Sequence, residues 1–92
     1  NGRETKYQWA GPYMYSRQVV AVRADSDIQS LSDLAGKRIG VQATTKAESL
    51  FLGEISSLLP EVKQVNSFET TEDMFAALRK GYVDAVAGMK HW

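Results

Sequence analysis

The chain has no cysteine and a single histidine, His91, which lies next to the C-terminus. Without cysteine there is no disulfide framework and no thiolate metal site. One histidine so close to the end leaves almost no material for a histidine-dependent triad or a multi-histidine metal site. The composition therefore argues against a metalloenzyme and a triad hydrolase, and neither a metal nor a cofactor is expected.

Long apolar runs and an excess of either charge are also missing. No run approaches the roughly 18–20 apolar residues of a membrane span, and the first residues lack a signal-peptide pattern, so we expect a mature or trimmed segment. Lys plus Arg and Asp plus Glu number 11 each. Because the net charge is zero, no nucleic-acid partner is expected. A hydrophobic fraction of 43% still suffices for one compact domain or a piece of a larger one.

Apolar periodicity and turn residues divide the chain into alternating strands and helices. Strands are predicted at 17–24, 38–42, 62–68 and 82–87, with a short helical turn at 31–35, a helix from Thr45 to Pro60 and a helix from Thr70 to Gly81. Strand, short helix, strand, helix, strand, helix, strand is the order of an α/β fold. The sequence therefore predicts a three-layer α/β sandwich with a mostly parallel central sheet.

The segment Gln42 to Lys46 leaves a predicted strand and opens a predicted helix. In open α/β sheets, ligands bind beyond the carboxyl ends of strands and near helix N-termini. Backbone N–H groups, the positive helix end, the hydroxyls of Thr44 and Thr45 and the Lys46 ammonium group favour a carboxylate or phosphate there. The simpler alternative is that Thr45 only caps its helix, as threonines at this position usually do. Both interpretations stay open.

Three residues near the N-terminus are further candidates for ligand contact. Arg3 offers a guanidinium that binds a carboxylate through two hydrogen bonds, although a lone arginine near a terminus is usually exposed. Trp9 and Tyr13 either supply apolar walls for a ligand or pack on the core, and packing is the default. No GxGxxG or GxxxxGK[ST] motif is present. The carboxylates are scattered over the predicted helices, so an acid/base pair and an enzymatic activity are not expected.

Three blocks of the sequence occur in a recognisable order. The first is Arg3-(x5)-Trp9-(x2)-Pro12-Tyr13, the second, at 31–42, is LSDLAGKRIGVQ, and the third, at 77–85, is ALRKGYVDA. This order resembles the family-3 bacterial extracellular solute-binding proteins, whose pattern runs R-(x5)-aromatic-S-x-P-Y, then S-L-x-D-L-x-G-K-x-[IV]-G-V, then A-L-x-x-G-x-[VI]-D-A. The resemblance covers nearly the whole chain.

The resemblance implies the type 2 periplasmic-binding fold, in which two α/β lobes close on a ligand, commonly an amino acid, for the membrane subunits of an ABC importer. It implies an extracytoplasmic location, periplasmic or at the cell surface and membrane-associated. Residues 1–16 would then end the first lobe and lead into the hinge, 17–88 would form the second α/β lobe, and 89–92 would exit towards the hinge. Self-association of an isolated lobe is plausible, because its apolar cleft and hinge surface are exposed.

The same resemblance assigns ligand contacts. Arg3 matches the arginine that holds the ligand carboxylate, and Gln42 to Lys46 match the loop that closes over it. Thr44 stands where the family often has glycine, so the backbone there is less free. Met89 stands where amino-acid binders usually have an acid for the ligand ammonium group. We therefore expect a carboxylate-bearing ligand, an amino acid or an organic anion, without this usual ammonium partner.

A second function stays open on the same resemblance. The fold also forms extracytoplasmic ligand-sensor domains of membrane-bound kinases or cyclases, in which closure on the ligand biases a signalling state. The partner would then be a fused signalling domain instead of importer subunits. A few relatives of the fold are dehydratases, which need placed acids in the cleft, and the cleft-facing segments here offer few.

Overall fold

A computed structural model of the chain describes residues 6–9, 18–52 and 60–89. The strands in these ranges are β1 (Tyr7–Trp9), β2 (Gln18–Arg23), β3 (Arg38–Gln42), β4 (Gln64–Phe68) and β5 (Ala85–Met89). The helices are a single 3-10 turn (Leu31–Leu34), α1 (Lys46–Leu52) and α2 (Thr71–Arg79). The predicted alternation of strands and helices is confirmed. The rest of the helix predicted to reach Pro60 lies outside the described residues.

The five strands form one mixed sheet in the order β1-β2-β5-β3-β4. β3 pairs in parallel with β4 and β5, whereas β2 pairs antiparallel with β1 and β5. The parallel pairs follow from the crossovers through α1 and α2. The segment that connects β2 to β3 contains only the short 3-10 turn and does not cross the sheet. β3 therefore starts at the same edge of the sheet at which β2 ends. The expectation of a mostly parallel sheet thus holds for β3, β4 and β5, while β2 runs the opposite way.

Helices cover both faces of the sheet, which confirms the three-layer α/β arrangement. The face under α1 and the 3-10 turn buries Val20, Val22, Ile28, Leu34, Ile39, Val41, Ala47, Ala85 and Ala87. The face under α2 buries Ala21, Met74, Ala77, Leu78, Val83 and Val86. Successive strand residues point to opposite faces, so a strand covered on both sides is apolar throughout. This is why the valine-rich β2 was recognisable from the sequence.

Three strands differ from the sequence prediction. β4 begins at Gln64 instead of Val62. β5 begins at Ala85 instead of Tyr82, because the backbone N–H groups of Tyr82 and Val83 both donate to the Ala77 carbonyl and complete the end of α2. β1 was not predicted as a strand at all. Its three residues are exposed, and the Tyr7 ring makes an edge-on contact with the Phe75 ring of α2, with centroids 5.1 Å apart.

None of the helices in residues 6–9, 18–52 and 60–89 is both long enough and apolar enough to cross a bilayer.

Candidate functional site

The carboxyl ends of three parallel strands meet at one edge of the sheet, which we call the carboxyl edge. Gln42 ends β3 and pairs with Phe68 at the end of β4, and Met89 ends β5. Gln18, at the start of the antiparallel β2, pairs with Met89 and so reaches the same edge. The segment 42–46 therefore leaves the sheet where ligands bind in folds of this class.

Gln42 uses both ends of its side-chain amide within the chain. Its Nε2 donates to the Glu69 carbonyl at 3.2 Å, and its Oε1 accepts from the Thr71 hydroxyl at 3.0 Å. The side chain therefore ties the end of β3 to the loop between β4 and α2. In this arrangement Gln42 positions the segment 42–46 against the loop that leads into α2.

Thr44 adopts a left-handed backbone conformation with φ of 62°. A β-branched residue rarely does so, and conformations of this kind cost about 1–3 kcal/mol. Its hydroxyl donates to the Ala43 carbonyl next to it. The backbone thus keeps the shape that glycine favours, although threonine stands at the glycine position of the resembled family. Among the described residues, Thr44 is the one non-glycine residue with positive φ.

Thr45 caps α1, as the simpler interpretation of the sequence held. Its hydroxyl donates to the Gln42 carbonyl at 2.6 Å and accepts from the Glu48 N–H at 3.3 Å. Lys46, the first residue of α1, is exposed. Contact of Thr44, Thr45 and Lys46 with a ligand stays a prediction.

Glu48 is the residue of this region that the sequence reasoning did not assign to a site. Its Oε1 accepts from the Thr44 N–H at 2.9 Å, and its Oε2 accepts from the Ser67 hydroxyl at 2.6 Å. The Ser67 hydrogen bond, followed by the one from Thr44, lowers the pKa of this carboxyl below its usual value, against the opposing effect of desolvation. The signal in the sequence was the spacing of Thr45 and Glu48, which is that of a capping box. In the usual box the Glu48 carboxylate would accept from the N–H of Thr45, whereas here it accepts from the N–H of Thr44.

Trp9 lies away from these residues. Trp9 lies on β1, the strand at one edge of the sheet, and pairs with Ala21 of β2. The strands β2 and β5 separate β1 from β3. At roughly 4.8 Å per strand, β1 and β3 are about 14 Å apart. Trp9 is 51% exposed and lines a shallow groove of about 240 Å³ with Tyr7 and Phe75.

Of the remaining candidate ligand-contact residues, only Met89 lies among the residues that the structure describes. Arg3 and Tyr13 lie outside the described residues, and Met89 is placed by its backbone at the end of β5. Within 6–9, 18–52 and 60–89, His, Cys, Asp and Glu side chains form no group of three suited to a metal ion. The described residues that the structure does bring together are Gln42, Thr44, Thr45 and Lys46.

Comparisons with known proteins give a consistent family. A family model described as NMT1/THI5 like matches residues 13–92. The chain is 34% identical over 88 residues to a glutamate-binding protein, GluB, of Corynebacterium efficiens, covering 92% of this chain and 28% of that protein. It is 31% identical over 86 residues to the ABC transporter arginine-binding protein 1 of Escherichia coli, covering 94% of this chain and 33% of that protein.

The similar solved structures are also binding proteins of transport systems. The chain superposes with a TM-score of 0.69 and 30% identity on an arginine 3rd transport system periplasmic binding protein from Legionella pneumophila, covering 92% of this chain and 35% of the other. It superposes with a TM-score of 0.66 and 33% identity on the substrate-binding protein of an amino acid ABC transporter, covering 88% and 34%. The chain thus spans about a third of the length of these proteins.

Proposed function

Because the chain belongs to the NMT1/THI5-like family, we propose that it forms one lobe of an extracytoplasmic solute-binding protein that captures a small, carboxylate-bearing ligand for an ABC importer. The resemblance to solute-binding proteins found in the sequence is confirmed by the relatives and solved structures named above. Those relatives are described as binding proteins, which supports a binding role over an enzymatic one.

The observation that carries the proposal is the position of the segment 42–46. It follows β3 at the carboxyl edge. The Gln42 amide bonds to Glu69 and Thr71, and the Glu48 carboxylate accepts from Thr44 and Ser67, so the segment is fixed against β4 and the start of α2. A ligand loop held in this way loses little conformational freedom on binding, which favours affinity. The N–H groups at the start of α1 and the Lys46 ammonium group favour a negatively charged ligand group there.

The second half of the site would come from the stretch before β2. On the family resemblance, the Arg3 guanidinium clamps the ligand carboxylate from one side, while the N–H groups of Thr45 and Lys46 bind it from the other. The division into 1–16, 17–88 and 89–92 remains part of this proposal. So does the presence of a further lobe, for which the coverage of about a third of the relatives is the support.

An importer role is proposed ahead of a sensor role. Three of the proteins named above are described as parts of transport systems, two for arginine and one for an amino acid. Membrane subunits of an importer are accordingly the proposed protein partner, and an extracytoplasmic location goes with it.

The test is calorimetric titration of the complete protein that contains this lobe against amino acids and organic acids. We expect saturable binding of a carboxylate-bearing ligand, and loss of at least tenfold in affinity for Arg3→Ala, because a bidentate contact to a charged group is removed. Arg79→Ala, at an exposed arginine on α2, is the matched control and should bind as the wild type does. An Arg3→Ala affinity within about threefold of wild type, roughly 0.7 kcal/mol, would contradict the assignment.

A further inference from the structure

We propose that Thr44, Glu48 and Ser67 form a latch that sets the conformation of the segment 42–46. In the latched state, which the structure shows, Thr44 has a left-handed backbone and its N–H donates to the Glu48 carboxylate. In the released state the carboxylate no longer accepts from that N–H, Thr44 returns to a negative φ, and the first turn of α1 frays. The inference goes beyond the proposed function, because it needs no ligand and concerns described residues of this chain alone.

The first support is that Thr44 holds a backbone conformation that its own side chain disfavours. Its φ is 62°, whereas the other described residues with positive φ, Gly36 and Gly81, are glycines. For a β-branched residue this conformation persists only where surrounding contacts hold it. Thr44 is exposed, so its packing contributes little, and its hydroxyl bonds to the carbonyl of the preceding residue. A contact from outside this stretch of backbone must therefore keep φ positive.

The second support is that Glu48 supplies such a contact. Its Oε1 accepts from the Thr44 N–H at 2.9 Å, and its Oε2 accepts from the Ser67 hydroxyl at 2.6 Å. These two bonds hold the pKa of the carboxyl below its usual value, so the acceptor is ionised, and hydrogen bonds to ionised groups are the strong ones. Ser67 lies on β4 and pairs with Val41 of β3. Glu48 therefore ties the Thr44 backbone to the sheet.

The third support is that a change at Thr44 must reach α1, because the residues on both sides of it are fixed. On one side, the Ala43 N–H donates to a carbonyl of β4 at 2.8 Å. On the other, the Thr45 hydroxyl donates to the Gln42 carbonyl at 2.6 Å, and the Thr45 carbonyl accepts from the Ser49 N–H at 3.2 Å. Rotation about φ of Thr44 moves Thr45 relative to Ala43, so these contacts cannot all persist. α1 has only seven residues, and a helix this short depends on the contacts at its ends.

NMR and amide hydrogen exchange of the complete protein without ligand test the latch. A left-handed residue brings its own amide and α protons close together, so Thr44 of the wild type should show a strong nuclear Overhauser effect between them. Glu48→Ala removes the latch and should weaken this effect. It should also speed the exchange of the Ser49 N–H at least about tenfold, which is roughly 1.4 kcal/mol in the free energy of opening. Glu61→Ala makes the same change at an exposed residue outside the helices and should leave both signals unchanged.

Thr44→Gly distinguishes the latch from ordinary helix capping by Glu48. Glycine adopts the left-handed backbone without help, so adding Glu48→Ala to Thr44→Gly should change the Ser49 exchange less than about threefold. Equal acceleration in the threonine and glycine backgrounds means that Glu48 stabilises α1 independently of Thr44, and the inference is then wrong. Persistence of the strong Thr44 effect in Glu48→Ala overturns it as well.

Ser67→Ala is the milder variant, which serves if Glu48→Ala does not fold. It removes one of the two hydrogen bonds to the Glu48 carboxylate and keeps the carboxylate itself. It should weaken the Thr44 effect and speed the Ser49 exchange in the same direction as Glu48→Ala, by a smaller factor. A Ser67→Ala protein with both signals at their wild-type values contradicts the latch. Because no ligand is added, each of these results is independent of the titration that tests the proposed function.

Discussion

Arg38 and Asp84 form an ion pair that joins the start of β3 to the residue immediately before β5. The Asp84 carboxylate accepts hydrogen bonds from the Arg38 backbone N–H at 2.8 Å, from its Nε at 3.0 Å and from its Nη2 at 3.0 Å. The backbone N–H of Asp84 donates in return to the Arg38 carbonyl at 2.8 Å. The pair lies at the edge opposite the proposed ligand site and aligns the two central parallel strands.

Replacing Asp84 with asparagine should therefore destabilise the lobe. The change removes the charge from three hydrogen bonds while keeping the shape, and about 1 kcal/mol is expected after allowing for partial exposure to solvent. Chemical denaturation monitored by circular dichroism gives the change in unfolding free energy. Asp73→Asn, at an exposed position on α2, is the comparison. An unchanged midpoint for Asp84→Asn would show that the pair contributes nothing to stability.

The Asp84 carboxylate should make the free energy of unfolding depend on pH in the acidic range. The hydrogen bond from the Arg38 side chain is the largest cause that lowers the Asp84 pKa from its ordinary value of 3.8, against the effect of partial burial. Between the lowered pKa and the ordinary one, the unfolded chain binds more protons than the folded chain. The contribution is therefore complete above the ordinary pKa and is lost as the pH falls through the folded value. Denaturation midpoints between pH 6 and pH 2 measure this loss, and Asp84→Asn should reduce its slope.

Replacing Thr44 with glycine should stabilise the lobe. Thr44 is exposed and holds a left-handed backbone with φ of 62°, so the substitution removes backbone strain and loses little packing. A gain of roughly 1 kcal/mol is expected, reduced in part by the greater freedom of glycine in the unfolded chain. Thermal denaturation is the measurement. Thr45→Gly should do the opposite, because it removes the cap of α1, and a loss in both variants would argue against strain at residue 44.

A side chain at Gly40 should destabilise the lobe. A Cβ atom built there would lie 3.2 Å from Phe68 Cε2 and 3.3 Å from Val83 Cγ2 and Val86 Cγ1. Gly40→Ala should consequently cost roughly 1–3 kcal/mol through overpacking of β3 against the side chains of Phe68, Val83 and Val86. Adding Val83→Ala should recover part of this loss, because it removes one of the clashing atoms. Strict additivity of the two changes in a double-mutant cycle would rule out the clash as the cause.

Sequence reasoning located the elements whose burial is continuous. β2 and β3 were predicted within one residue at each end, because apolar residues on both faces leave few alternatives. β1 was missed because it is short, exposed and stabilised by pairing with Arg23, Val22 and Ala21, which lie far along the chain. The start of β5 was placed too early because the bonds from Tyr82 and Val83 to Ala77 follow from tertiary packing.

The proposed site was only partly accessible from the sequence. The position of Gln42 to Lys46 followed from the strand-to-helix junction, and capping by Thr45 was one of the two interpretations of that junction. The bond from Ser67 to Glu48 joins residues 19 positions apart, so no local pattern contains it. The bracing by Gln42 likewise depends on Thr71, 29 positions away.

The pairing of Gln18 with Met89 places the entry and the exit of the lobe side by side. Any chain segments that continue from Gln18 and Met89 therefore start from neighbouring positions at one edge of the sheet. A lobe with neighbouring ends can also be spliced into another fold without separating that fold's own strands.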